Sequence, residues 1–326
     1  MIIRDGSAKR LKFLITGGAG FIGSHLAEEL IARGYQVIVY DNLRTGKIEN
    51  LNNLPVKLVS EDILNYRALS EAMRGCAAVF HLVALTSVVE SMERIEEYLA
   101  VNLQGTINVL KSAVGNEVKK VLFASSAAVY GDSPVLPKRE EMALHPKSPY
   151  AITKLSSEYF SAFFSEFRKL PTVCGRFFNV FGERQDLDSS YAAAIPIFIA
   201  NCLKGAPVLI YGDGEQTRDF IYVKDLVKAF ILLMEKGTGV YNIGYGKAVT
   251  VNQLVSMIKH YLNSASEIHY VPERPGEILN SYAAIDKLTL LGFQPEFSLE
   301  QGLSRTIDYY KGILSIRPEE SGSQSS

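Results

Sequence analysis

Residues 16–23 read Thr16-Gly17-Gly18-Ala19-Gly20-Phe21-Ile22-Gly23, with the apolar run Phe13-Leu14-Ile15 before them and helical spacing over 21–33 behind, stopping at Gly34. Gly17 permits a tight turn, Gly20 lets the backbone approach a pyrophosphate, and Gly23 lets helix and strand pack closely. The helix that starts there offers free N–H groups and the positive end of its dipole to an anion. A glycine triplet by itself also occurs in plain connecting turns; a strand before it and a helix after it are the context that phosphate binding requires. Working outward, apolar strands at 36–41, 56–60, 77–83, 120–125 and 172–179 alternate with helical segments at 91–114 and 149–168. Continuous apolar strands separated by helices predict a parallel sheet covered on both faces, with ligands at the carboxyl ends of its strands.

Past Phe181 the elements shorten and loop signals multiply: Tyr211-Gly-Asp-Gly214, Gly237-Thr-Gly239 and Pro272-Glu-Arg-Pro-Gly276. The expected organisation is α/β: a doubly wound parallel sheet over 1–181, then a smaller mixed α/β substrate-binding lobe over 182–316 that returns some elements to the sheet. A polar leader at 1–10 precedes it and a frayed tail at 317–326 follows. The 326 residues carry 34 Lys and Arg against 35 Asp and Glu, which argues against broad binding to nucleic acid or anionic membrane. Three scattered cysteines, Cys76, Cys174 and Cys202, have neither disulfide nor zinc spacing, and no His-x-x-x-His pair occurs, so no metal is expected. Lacking a bilayer-length apolar run and a signal segment, the chain is expected to be soluble and cytoplasmic.

Asp41 ends the second strand, 24 positions after Gly17. A carboxylate there hydrogen-bonds an adenosine ribose diol and repels a 2′-phosphate, which favours NAD over NADP. Further on, Tyr150-Ala-Ile-Thr-Lys154 puts a phenol and an ammonium on one helix face. A neighbouring cation favours phenolate and makes tyrosine a usable base. With 17 tyrosines, about one such pair arises by chance, and a solvated helix face is the bland alternative. Ser125-Ser126 adds weight, because these hydroxyls sit where the fifth strand opens into the crevice; the alternative is a serine capping a strand end.

In order and spacing, the glycine loop, Asp41, the serine strand end and Tyr150/Lys154 resemble an extended short-chain dehydrogenase/reductase with a Rossmann-like sheet. The resemblance covers about 11–314. It is strongest to the UDP-sugar 4-epimerases of the NAD-dependent epimerase/dehydratase family, in particular the UDP-N-acetylglucosamine 4-epimerase group. Further stretches that carry it are Tyr40-Asp41-Asn42-Leu43, His81-Leu-Val-Ala-Leu85, Val101-Asn102-Leu-Gln-Gly105, Arg176-Phe-Phe-Asn-Val-Phe-Gly182, Arg184-Gln-Asp186, Gly212-Asp-Gly-Glu-Gln-Thr-Arg-Asp219 and Arg274-Pro-Gly-Glu277. The resemblance implies NAD as the cofactor, a UDP-sugar as the substrate, and a homodimer through an intersubunit four-helix bundle.

Carried over by position, the resemblance makes Tyr150 the base on the sugar 4-hydroxyl, Ser126 the holder of that oxygen with Ser125 beside it, and Lys154 the partner of the nicotinamide ribose. Gly17, Gly20, Phe21, Ile22, Gly23, Asp41 and Asn42 would hold the cofactor, with Asp62 and Ile63 on its adenine side and Ala84 and Asn102 supporting it. Toward the substrate, Ser87 would touch the sugar and Asn179 the diphosphate. Arg218 and Arg274, with Glu277 in the same segment, would serve the phosphates. Ala192, Ala193, Ile195 and Tyr211 would border the uridine. Arg218 could instead pair with Asp219 or Asp225. Ser281 matches a pocket wall where epimerases restricted to non-acetylated sugars carry a bulky tyrosine, so serine there implies room for an N-acetyl group; a surface serine is the alternative.

The implied reaction interconverts UDP-N-acetylglucosamine and UDP-N-acetylgalactosamine, and UDP-glucose and UDP-galactose, through a 4-keto sugar. Two departures from relatives stand out. Ser126-Ala127-Ala128 replaces the Thr-Asp-Glu of 4,6-dehydratases, which removes their acid and base. Ser281-Tyr-Ala-Ala284 lacks the aspartate often found there, with Asp286 two positions later. The alternatives are a UDP-glucuronate 4-epimerase or decarboxylase, and, in a different class, a non-catalytic NAD-binding sensor, which would be expected to lack Tyr150 or Lys154.

Overall fold

The computed structural model describes residues 11–186, 194–273 and 279–316. The expected leader and tail lie outside them, as do the site candidates Ala192, Ala193, Arg274 and Glu277. Within the first lobe run β1 (Lys12–Thr16), α1 (Phe21–Ala32), β2 (Gln36–Tyr40), β3 (Lys57–Val59), α2 (Tyr66–Met73) and β4 (Ala78–His81). Next come α3 (Val88–Glu93), α4 (Ile95–Tyr98), α5 (Gly105–Gly115), β5 (Lys120–Ser126), α6 (Pro149–Phe167) and β6 (Thr172–Phe177). Beyond them lie β7 (Asn179–Phe181), α7 (Ala194–Lys204), β8 (Val208–Tyr211), β9 (Thr217–Arg218), β10 (Phe220–Tyr222), α8 (Val223–Lys236) and β11 (Gly239–Ile243). The chain closes with β12 (Val249–Thr250), α9 (Val251–Leu262), β13 (Ile268–Val271), α10 (Asp286–Thr289) and α11 (Leu299–Ile316).

A seven-stranded sheet runs β11-β6-β5-β4-β1-β2-β3, and every pairing in it is parallel. Strand residues alternate between its faces. Phe13 and Ile15 meet Leu26, Leu30, Phe230 and Leu233 of α1 and α8. Leu14, between them, meets Leu69, Met73, Val109, Leu110 and Phe164 of α2, α5 and α6. Both faces being covered is why these strands are apolar at every position. Strand order reverses between β1 and β4, which opens a crevice at their carboxyl ends. Two elements from beyond residue 181 complete this layer: β11 pairs with β6, and α8 covers one face. The smaller lobe packs α7, α9 and α11 around Phe198, Ile199, Leu254, Ile258, Leu303 and Ile307.

Two elements differ from the sequence expectation. The single helix expected over 91–114 is broken at Arg94, whose guanidinium pairs with Glu90 and Glu97, and winds through a π-helical stretch at Leu99–Gln104 before α5. The strand expected over 172–179 leaves the sheet at Phe178, whose N–H donates to the Ile243 carbonyl. Its continuation, β7, pairs instead with β10 in a separate two-stranded sheet. Among the described residues, no helix is long and apolar enough to cross a membrane.

Candidate active site

The glycine loop leaves β1 with Gly17 at φ +72°, a conformation that favours glycine. A Cβ on Gly17 would meet the Val83 backbone nitrogen at 3.0 Å, so the loop lies close against the exit of β4, where Ala84 sits. A Cβ on Gly23 would lie 2.1 Å from the Gly17 carbonyl oxygen. Helix α1 starts at Gly20 without a side-chain cap, so its first-turn donors, led by Phe21 and Ile22, are left for an anion. Asp41 is buried beside this loop and accepts from the N–H groups of Ala19 (2.9 Å) and Leu43 (2.9 Å). That holds its carboxylate at the end of β2. The Asn42 amide reaches Asp62 at 2.9 Å, and Ile63 is buried against the bare Cα of Gly105, which together form the far rim. Uncapped helix end, backbone cradle and terminal carboxylate fit a dinucleotide without a 2′-phosphate.

At the neighbouring strand end, β5 finishes at Ser126, whose hydroxyl caps the following 3₁₀ turn by accepting from the Ala128 N–H at 3.2 Å. Ser148 caps α6 at 3.2 Å from the Ala151 N–H, and Pro149 fills the first helical position, so the helix starts immediately before Tyr150. Tyr150 is buried with its phenol beside the Ser126 hydroxyl; burial pushes the phenol above the ordinary value, and the neighbouring Ser126 hydroxyl opposes that. One turn on, Lys154 donates to the Ala124 carbonyl at 2.7 Å, with its ammonium 5.9 Å from the Tyr150 ring centroid. Burial pulls Lys154 down to about 7, and Glu158 pulls the other way. The structure therefore brings Ser126, Tyr150 and Lys154 together at the crevice, where they can hold and deprotonate a hydroxyl.

Ser125 does not join them. Strand alternation turns it to the opposite face, where it is buried with its hydroxyl on Glu158, so the expectation that it sits beside Ser126 on the substrate oxygen is corrected. Asn102 clamps the chain leaving β4, accepting from the Leu85 N–H (2.8 Å) and donating to the Leu85 carbonyl (3.0 Å). Its amide also donates to the Thr153 hydroxyl at 3.2 Å, which fastens that exit to α6. The Ser87 hydroxyl caps α3 by accepting from the Glu90 N–H at 3.1 Å.

On the second-lobe side, the Arg218 guanidinium donates to the carbonyls of Thr217 (2.9 Å) and Leu279 (3.1 Å). Asp219 and Asp225, the acids considered as its alternatives, both take backbone N–H groups: Asp219 those of Tyr245, Gly246 and Ala283, Asp225 those of Glu296 and Phe297. Burial raises Asp219 to about 6 against those bonds. Asn179 donates to the Asp219 carbonyl, through its side chain at 3.3 Å and its backbone at 3.0 Å. Tyr211 borders a small cleft with Gly212, Gln216 and Leu279. The Ile195 side chain is committed to the core of this lobe. Ser281, 9% exposed, donates its backbone N–H to the Thr217 carbonyl, one residue from Arg218. Two positions on, Ala283 packs against Val129 and Tyr130 in the turn after Ser126.

Sequence reasoning missed two buried polar groups here. The His81 ring bridges Thr16 (2.7 Å) and Thr106 (2.9 Å) beneath the crevice, and burial with the Lys154 charge pushes it down to about 3. Glu158 and Arg176 form an ion pair at 2.7 Å, both side chains 4% exposed. An arginine inside an otherwise apolar strand was the available signal, because a buried guanidinium requires a partner. Among the described residues, no group of three or more His, Cys, Asp or Glu could hold a metal.

Comparison with known proteins places this geometry. Residues 13–244 match the NAD dependent epimerase/dehydratase family. The chain is 38% identical to a putative UDP-glucose 4-epimerase of Methanocaldococcus jannaschii, over 91% of this chain and 98% of that one. It is also 38% identical to the UDP-N-acetyl-alpha-D-glucosaminuronate decarboxylase of Bacillus cytotoxicus, over 92% and 98%. The solved UDP-N-acetylglucosamine 4-epimerase of Methanobrevibacter ruminantium, in complex with UDP-N-acetylmuramic acid, superposes with a TM-score of 0.90 at 41% identity, over 94% of this chain and 99% of that one.

Proposed function

Because the chain belongs to the NAD dependent epimerase/dehydratase family and is an epimerase that uses NAD, we propose that it inverts C4 of UDP-N-acetylglucosamine and UDP-N-acetylgalactosamine, and accepts UDP-glucose and UDP-galactose as well. The observation that carries this reading is the meeting of Tyr150 with Ser126 at the end of β5, with Lys154 one helical turn away and its ammonium 5.9 Å from the Tyr150 ring. When bound, the nicotinamide supplies a reversible hydride acceptor. Around it, Ser126 holds the 4-oxygen and Tyr150 takes its proton as the sugar becomes a 4-keto species. Lys154 keeps the phenolate accessible and meets the nicotinamide ribose. Arg218 and Asn179 anchor the diphosphate, so the keto sugar turns over about a fixed tether and accepts hydride on its other face. Tyr150 then returns the proton.

Ser281 supports the N-acetylated pair, since turning the sugar sweeps its C2 substituent through the wall that this segment forms. A second copy of the chain is the expected partner. Ile152, Tyr159, Phe163 and Phe167 form an exposed apolar stripe along α6, Tyr159 at 65% and Phe167 at 63% exposed, continued by Val89 and Met92 on α3. An apolar face of this extent marks an association surface.

Incubation with single UDP-sugars, followed by proton NMR, tests the assignment. UDP-N-acetylglucosamine should yield its C4 epimer. The Bacillus cytotoxicus relative motivates a further arm with UDP-N-acetylglucosaminuronate, whose decarboxylation in place of epimerisation would replace this reading.

A further inference from the structure

The described structure carries one buried ion pair with both side chains at 4% exposure, between Glu158 of α6 and Arg176 of β6. The guanidinium is doubly engaged, Nε to Oε1 at 2.9 Å and Nη2 to Oε2 at 2.7 Å, and Ser125 donates to the same carboxylate. Its remaining donor reaches the Tyr130 hydroxyl at 2.9 Å and the Glu140 carbonyl at 3.2 Å. Glu158 stands four residues after Lys154 on the same helix face. The Lys154 ammonium is bonded to Ala124, the strand residue immediately before Ser125, so the two charged groups attach to consecutive residues of β5.

Other groups near Lys154 are neutral. On β4, His81 is pushed down to about 3 by burial and by Lys154. On β6, the Cys174 thiol is pushed up to about 12 by burial and by Glu158. On α6, burial raises Tyr150. From β5 come only the Phe123 ring, 4.9 Å from the ammonium, and the Ala124 carbonyl. The charges that these elements turn toward Lys154 are therefore Glu158 and, behind it, Arg176. Burial opposes the Arg176 charge, but the Glu158 bonds outweigh it and hold the guanidinium above its ordinary range.

We infer that Glu158 is a positioning residue for catalysis, its carboxylate keeping Lys154 protonated and thereby Tyr150 acidic, while Arg176 fixes that carboxylate in place. This rests on the proposed roles of Tyr150 and Lys154. It follows that removing the Glu158 charge takes the carboxylate from beside Lys154 and leaves Arg176, behind it, as an uncompensated buried cation, whereas removing both charges leaves no field from this pair.

The test compares wild type, Glu158→Asp, Glu158→Gln and the Glu158→Gln/Arg176→Gln double variant as NAD-loaded proteins. Two readouts are taken: the pH profile of kcat, and the phenolate absorbance of Tyr150, obtained as an ultraviolet difference against Tyr150→Phe in the same background. In Glu158→Gln the alkaline limb should fall and the Tyr150 titration rise, each by about one pH unit or more. The double variant should lie between Glu158→Gln and wild type, and Glu158→Asp should follow wild type. Should Glu158→Gln fail to fold, the double variant carries the test, because it leaves no unpaired buried charge. Limbs and Tyr150 titrations that coincide across all variants, with only activity or melting temperature lowered, would overturn the inference. A wild type that epimerises no UDP-sugar, with the Tyr150 titrations still in this order, would remove the proposed function and leave the role of Glu158 standing.

Discussion

Replacing Gly23 with alanine tests the cofactor loop by a clash whose size the structure gives. The new Cβ would sit 2.1 Å from the Gly17 oxygen, 2.7 Å from the Gly18 Cα and 2.9 Å from the Gly17 carbonyl carbon, all of them backbone. No side-chain rotation relieves this, so loop and helix must part by about 1 Å, and such overpacking costs roughly 1–3 kcal/mol. The same displacement carries the first-turn N–H groups away from the pyrophosphate. At about 1.4 kcal/mol per tenfold, NAD affinity should drop about 10- to 100-fold. Two other glycines calibrate the effect. A Cβ on Gly20 meets the Gly17 oxygen at 3.3 Å, a tight but tolerable contact, and one on Gly115 meets nothing within 4 Å. Gly115→Ala should be neutral or stabilising by about 0.5–1 kcal/mol, since alanine is the better helix former. The assay is the NAD(H) released by acid after gel filtration, read alongside the melting temperature. Retention should rank Gly115→Ala with wild type, Gly20→Ala below them and Gly23→Ala last. A Gly23→Ala protein that holds its NAD and melts like Gly115→Ala would refute the close-packing argument.

Three further outcomes follow from the same site. Acid release from wild type should give NAD(H) with little NADP(H), because a carboxylate at the end of β2, as the proposed role of Asp41 has it, repels a 2′-phosphate; NADP(H) as the main nucleotide would remove that assignment. Tyr150→Phe should cut turnover by orders of magnitude while UDP-sugar affinity, read by calorimetry, stays within about tenfold, since the phenol acts on the barrier. Ser281→Tyr should suppress turnover of the N-acetylated pair and spare UDP-glucose and UDP-galactose, as the difference between two barriers. Equal losses on both pairs would show that Ser281 does not gate the sugar.

What was legible in the sequence follows from how strongly each residue's neighbours constrain it. Strands buried on both faces must be apolar throughout, so Phe13-Leu14-Ile15, followed by the glycine loop and a helix, marked the sheet and the βαβ unit at its centre. The helix expected over 91–114 was read as continuous because a π-helical turn slips the register by a fraction of a turn, which hydrophobic spacing does not register. What occupies that slip is Asn102, whose two bonds to the Leu85 backbone are visible only once β4 and the helix meet. Ser125 was misplaced because two adjacent serines at a strand end look alike in sequence, while alternation sends one to the crevice and the other to Glu158. Glu158 carries no signal of its own in the sequence, being one charged residue on a long helix. Only Arg176, unexpected inside a buried strand, hinted that a carboxylate had to follow it inward.

The central claim is that one C4–H hydride leaves the sugar and returns to the same carbon on the opposite face. It is tested most directly with UDP-N-acetylglucosamine deuterated at C4, followed by NMR in ordinary water. The account predicts UDP-N-acetylgalactosamine with deuterium retained at C4 for wild type, and no epimer on the same timescale for Tyr150→Phe. Epimer carrying solvent hydrogen at C4, or epimer formed equally well without Tyr150, would contradict it.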